Sequence, residues 1–169
     1  MFWRYLYFII CAPGVIVHEL AHAFFCVIFN VKIHRINLLR FDSVAGYVIH
    51  DEPRKFFPSF FISFGPLIIN SGLAIWLFSK IVWVNNWHAF SWYNLLYLWL
   101  GAVLALQAIP STGDAKSLFN NANHNFWRNP LVILFYPLVL ALYILNFLKF
   151  VYIDFFYIGF LIYIAQKYI

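Results

Sequence analysis

The stretch that decides how this chain is read is Pro13-Gly14-Val15-Ile16-Val17-His18-Glu19-Leu20-Ala21-His22-Ala23-Phe24-Phe25-Cys26-Val27-Ile28-Phe29-Asn30, an apolar helix carrying an ionisable cluster. Histidines four residues apart lie on one helix face, about 6 Å apart along the axis, where both can grip one metal ion. Glu19 adjoins one of them but points elsewhere round the helix, as a base for metal-bound water must. The chain has six histidines and two glutamates, Glu19 and Glu52, in 169 residues. At those frequencies chance supplies roughly 0.003 copies of His-Glu-x-x-His, so the pattern reads as zinc-hydrolase chemistry rather than as two ordinary buried histidines. Cost points the same way, because charge in a membrane helix is unfavourable by about 2.5–3.5 kcal/mol per residue even on insertion scales.

The solvent around this helix follows from composition. The chain is 64% hydrophobic and 23% aromatic, only 10% charged, with a mean hydropathy of +0.81. A water-soluble globule would carry about 25% charged residues, so an integral membrane protein is expected, a single membrane-embedded domain over residues 1–169. The +5 formal charge does not imply nucleic acid, since Lys and Arg sit at the ends of apolar runs instead of on one face. Cys11 and Cys26 lie inside apolar segments and suggest no disulfide framework. The first apolar run leads straight into the metal motif, so it is not expected to be a cleaved signal.

Outward from the motif, residues 2–29 predict one span broken or kinked at Pro13-Gly14. Cys26 lies one turn beyond His22, a buried cysteine first and a thiolate ligand second. Residues 31–50 alternate and are rich in β-branched side chains, which predicts a surface β-hairpin turning at Asp42-Ser43, with Lys32, Arg35, Arg40, Arg54 and Lys55 as the densest basic cluster. Its edge could hold an extended peptide. A second span, Phe56 to Phe78, contains Gly65-Pro66-Leu67-Ile68-Ile69-Asn70, a kinked or opened helix packed closely on a neighbour. Asn70 at membrane depth either bonds a freed carbonyl or steadies a water or developing oxyanion. Trp83, Trp87 and Trp92 mark an interfacial belt, with His88 a surface residue. A third span, about Tyr93 to Ile109, ends in Gln107-Ala108-Ile109-Pro110-Ser111-Thr112-Gly113-Asp114. Asp114 there is either presented to the membrane face or caps a short helix at 116–120, with 120–129 read as loop. Two further spans, 131–148 and 151–168, form a scaffold hairpin around Lys149, with Asp154 interfacial.

The fold class expected is therefore an all-α polytopic membrane protein of about five transmembrane helices, with a small cytoplasmic-side β-hairpin between the first and second. Five spans collect Lys32, Arg35, Arg40, Arg54, Lys55, Lys116, Arg128 and Lys167 on one side, against Arg4, Lys80 and Lys149 on the other. The positive-inside rule then puts the N-terminus outside and the C-terminus in the cytoplasm of a cell (inner) membrane. A catalytic zinc site needs a third protein ligand. Asp42, Asp51, Glu52, Asp114, Asp154, Cys26 and the other histidines are candidates. Asp114 ranks first because it directly follows a span and adjoins the flexible Gly113.

Three features together, His18-Glu19-Leu20-Ala21-His22, Gly65-Pro66-x-x-Asn70 and Pro110 to Asp114, resemble the site-2 protease family of intramembrane zinc metallopeptidases. They cover residues 13–115, the expected catalytic core. The resemblance implies His18, His22 and Asp114 as Zn2+ ligands, Glu19 as general base and Asn70 as a catalytic-site polar group. It also implies a transmembrane protein as substrate, cut after a prior cleavage elsewhere and held extended by a strand near the active site, for which the 31–50 hairpin is the natural match, with the lipid bilayer as surroundings. The third motif departs from the family, with Gln107-Ala108-Ile109-Pro110 and Gly113-Asp114-Ala115 where many members show Asn-x-x-Pro and Leu-Asp-Gly. The sequence resembles a minimal catalytic core, and the substrate-gating or nucleotide-sensing domains of longer members are not expected. Two other functions use the same residues: a metal-dependent membrane hydrolase of a non-protein amide or ester, and a non-catalytic binder of membrane segments with a vestigial site. An intact Glu19 speaks against the binder.

Overall fold

A computed structural model describes residues 2–39, 46–82, 91–127, 129–148 and 152–169. In chain order the elements are α1 (Phe2–Ile28), β1 (Ile33–Asn37), β2 (Tyr47–His50), α2 (Phe56–Ser79), α3 (Trp92–Leu106), α4 (Thr112–Asn125), α5 (Pro130–Leu148) and α6 (Ile153–Tyr168). Arg40, the Asp42-Ser43 turn, Trp83, Trp87, His88, Arg128 and Lys149 lie outside the described residues.

Helix α1 continues through Pro13 as one element, because the lost hydrogen bond is a single one in a long apolar helix. It stops at Asn30, whose φ of 52° is left-handed. Asn30 N–H donates to the Val27 carbonyl and Val31 N–H to the Cys26 carbonyl, a Schellman ending that satisfies carbonyls the helix leaves open. The chain then enters the hairpin. Strands β1 and β2 pair antiparallel with Ile36 opposite Val48 and Asn37 opposite Tyr47, and a register shift falls between Ile33 and Arg35. At that shift the His34 ring contacts the Asp51 carboxylate at 2.7 Å, and this pairing holds the Asp51 carboxyl below its usual range.

Helix α2 is the hub, touching α1, α3, α4 and α6. Its two ends serve two cores. Phe56 and Phe60 join Leu118 and Ala122 of α4 and Val132, Val139 and Leu142 of α5. Ala74, Leu77 and Phe78 join Leu104 and Ala105 of α3 and Leu161 and Ala165 of α6. The two C-terminal helices, expected as a hairpin, thus pack on different partners, and a Ser71 to Tyr157 contact of 2.6 Å reinforces α6 on α2.

Three helices, Leu6–Ile28, Phe56–Ser79 and Pro130–Leu148, are long and apolar enough to cross a membrane. Helices α3 and α6 have 15 and 16 residues, roughly 22–24 Å, less than the ~30 Å hydrocarbon core, so length supports three of the five expected spans. Large apolar side chains face outward along α5, among them Leu131, Leu134, Leu138 and Phe147, a surface compatible with lipid.

The loop expected at 120–129 is corrected: α4 is a 14-residue helix reaching Asn125. Its polar composition hid a buried stripe, Ala115, Leu118 and Ala122, at spacings of three and four. Ser111 supplies the start signal, with its side chain and that of Asp114 capping each other's backbone N–H.

Glycine makes the closest helix approach possible. A Cβ at Gly14 would stand 2.2 Å from the Val103 carbonyl oxygen of α3, which is backbone and cannot swing aside. Gly14→Ala is therefore expected to push α1 from α3 and cost about 1–3 kcal/mol, read as a lower midpoint of thermal unfolding in detergent. An unchanged midpoint would show that the two helices can separate freely.

Candidate metal centre

His18 and His22 project from adjacent turns of α1, ring centroids 4.8 Å apart, and both are buried. Each ring is pinned through Nδ1 to a backbone carbonyl: His18 to Gln107 at 2.6 Å and His22 to Ile62 at 2.8 Å. A carbonyl only accepts, so each Nδ1 carries the proton and donates. Each Nε2 is then left with a lone pair, the tautomer a metal ligand requires.

The carbonyls are available for a reason written in the sequence. Within α2, Ile62 would ordinarily accept from the residue four further on, which is Pro66 and has no N–H. Gln107 caps the C-terminal end of α3, and Pro110, three residues on, again has no N–H to give. Both prolines free an acceptor that a histidine takes.

Asp114 completes the cluster. Its Oδ2 lies 3.4 Å from His22 Nε2 and 3.9 Å from His18 Nε2, while the two Nε2 atoms are 3.1 Å apart. These separations bracket the edge of a zinc tetrahedron with ligands at 2.0–2.1 Å, about 3.3 Å. Three acceptors so close repel unless a cation lies among them, so the donor set fits a metal. They form a possible metal-holding group, His18, His22 and Asp114, all ligand atoms within 4.8 Å of one another. Cys26, although buried one turn beyond His22, and Asp154, at the start of α6, are not part of it.

The capping interaction aims Asp114. Ser111 Oγ donates to Oδ2 at 2.6 Å and Ser111 N–H donates to the same oxygen at 3.1 Å, while Asp114 N–H returns a bond to Ser111 Oγ at 3.2 Å. The cap and ligand readings of Asp114 are thus compatible.

Glu19 is 9% exposed and lines, with His18, His22 and Asp114, a cavity of about 220 Å³. The opposite wall is the hairpin, through Gly46, Tyr47, Val48 and His50. Gly46 lets that wall reach Glu19, for a Cβ there would meet Glu19 Cγ at 2.8 Å. Asn70 is placed elsewhere. Fully buried, it donates from Nδ2 to the carbonyls of Gly14 at 3.2 Å and Leu104 at 3.3 Å, tying α2 to α1 and α3 one turn from His18 and from Gln107. The carbonyl contact expected of Asn70 is present. The carboxamide braces the helices that carry the ligands.

Ser111, Gly46 and the carbonyls of Ile62 and Gln107 escaped the sequence reading. Their signals were present: Ser-x-x-Asp as a capping pair, and prolines four and three residues after the two carbonyls.

Ser111→Ala should lower affinity for a divalent metal by about 10–100-fold in competition with a chelator, because Asp114 loses a donor and its orientation. Pro66→Ala, which returns an N–H to Ile62, should weaken metal binding in the same direction by a smaller factor. Equal affinity in both variants would mean that these contacts do not aim the ligands. No protein-family model, curated protein or solved structure matches this chain.

Proposed function

We propose that the chain is an intramembrane zinc metalloendopeptidase of the site-2 protease kind, hydrolysing a peptide bond in or near a transmembrane segment. One observation carries this reading: two buried imidazole Nε2 atoms and a carboxylate converge beside a buried Glu19 that makes no hydrogen bond to another described residue, in a cavity whose far wall is a β-strand. His18, His22 and Asp114 would hold the metal. When bound, zinc lowers the pKa of its water toward ~7 and polarises the scissile carbonyl. Glu19 accepts the proton of the attacking water and returns it to the leaving nitrogen. Asn70 braces α1, α2 and α3 so that the ligands keep their spacing. Strand β2 lines the cavity, and an extended substrate would lie along it. A helical substrate must unwind to reach this geometry, since its carbonyls are otherwise taken up within the helix.

The membrane arrangement belongs to the same proposal. Five helices, α1, α2, α3, α5 and α6, cross a cell (inner) membrane with the N-terminus outside, while α4 and the hairpin lie at the cytoplasmic face. Support comes from the three long apolar helices, and this five-span arrangement would gather Lys32, Arg35, Arg54, Lys55, Lys116 and Lys167 on one side, as the positive-inside rule requires. The short helices α3 and α6 fit a locally thinned bilayer. A vestigial binder would leave unexplained why a carboxylate is kept buried beside the ligands, at a cost no binding role recovers.

The deciding experiment is metal analysis of purified protein together with cleavage of a model transmembrane substrate. Glu19→Gln should retain about one zinc per chain and lose at least ~10³-fold in cleavage rate, whereas His22→Ala should lose the zinc. Cleavage undiminished in Glu19→Gln would remove that residue as base, and zinc absent from the wild-type protein would sink the proposal.

A further inference from the structure

The two walls of the metal-centre cavity do not end there. Strand β2 runs on into Glu52, Pro53 and Arg54, and the α4 face that begins at Asp114 continues through Ser117, Asn121 and His124, at spacings of three, four and three. Between these continuations lies a second cavity of about 580 Å³, larger than the one beside the ligands. The chemistry proposed above makes no use of it.

Hydrogen bonds join its walls. Asn121 Nδ2 donates to the Pro53 carbonyl at 2.7 Å, and Asn125 Nδ2 donates to Asn121 Oδ1 at 3.2 Å, so two carboxamides clamp the linker to α4. Ser117, Asn120 and His124 also line the space and make no hydrogen bond to other described residues, which leaves their donors and acceptors for an occupant. Glu52 and Arg54 contribute one charge of each sign, so the cavity offers no net field for a phosphate or a metal cation. Carboxamides and a hydroxyl instead match groups that both donate and accept, the pattern of a peptide main chain.

Resting on the peptidase reading, we infer that this cavity is a subsite for the hydrophilic polypeptide flank of the substrate, a few residues from the bond that is cut. Ten residues of α4 separate Asp114 from His124, about 15 Å along the axis. An extended chain covers that distance in about four to five residues. Helix α4 is polar outside its buried stripe, so the flank lies where a membrane segment gives way to water. The enzyme then selects substrates by the polar residues adjoining the apolar segment as well as by the segment itself.

The test uses the full-length Glu19→Gln protein in detergent and two labelled model substrates sharing one transmembrane segment. One retains a ten-residue polar flank and the other stops at the membrane boundary. The flank should tighten binding about tenfold, the yield of two or three net hydrogen bonds. Adding Asn120→Leu and His124→Leu, both exposed positions, should bring the two affinities together, with zinc content per chain unchanged as the check on folding. Equal binding of both substrates by Glu19→Gln, or a flank preference that survives the added substitutions, overturns the inference. Flank-dependent binding without any cleavage by the wild-type chain would instead overturn the peptidase reading and leave the subsite standing.

Discussion

The structure depends on two hydrogen bonds that most helices could not offer, from His18 Nδ1 to the Gln107 carbonyl and from His22 Nδ1 to that of Ile62. In an apolar interior a backbone carbonyl is normally consumed by its own helix. Pro66 and Pro110 withhold the N–H groups that would otherwise compete, and the carbonyls turn to the histidines. One set of contacts therefore fixes the tautomer and the orientation of each ring and links α1 to α2 and α3. The N–H groups that Pro66 and Pro110 lack thus free the carbonyls that orient the two rings of the candidate metal centre.

Around that pair the helices are spaced by small residues and braced by one carboxamide. Gly14 allows α1 to touch the Val103 carbonyl, and Asn70 reaches both neighbours from the middle of α2. Helix association at these points rests on close contact and polar links. Asp114 arrives by another route, the first turn of α4, where a serine cap holds the carboxylate and the helix N-terminus favours its charge. A carboxylate from a polar helix thus meets two imidazoles from an apolar one.

Strand β2 lines the cavity, and under the proposed function it would hold substrate through main-chain hydrogen bonds, which are indifferent to side-chain identity. Selectivity then has to come from further along the groove. The polar space between α4 and the 52–54 linker lies on that line and carries the groups suited to it.

By itself the sequence determined the helix register that puts His18 and His22 on one face, the apolar runs of α1, α2 and α5, the hairpin, and Asp114 as the leading candidate to join the two histidines. These depend on local periods and spacings, which act within a few residues and are therefore legible along the chain. It misread 120–129 as loop, because three buried apolar positions in α4 are outnumbered by polar ones and only their partners on α2 and α5 reveal the stripe. Tertiary structure alone decided that Asn70 braces backbone instead of lining the cavity, that the Ile62 and Gln107 carbonyls orient the rings, and that α5 and α6 part to separate cores. Each of these depends on which carbonyl or side chain stands opposite, a distance between residues 34 to 89 positions apart in the hydrogen bonds concerned, and no local pattern encodes it.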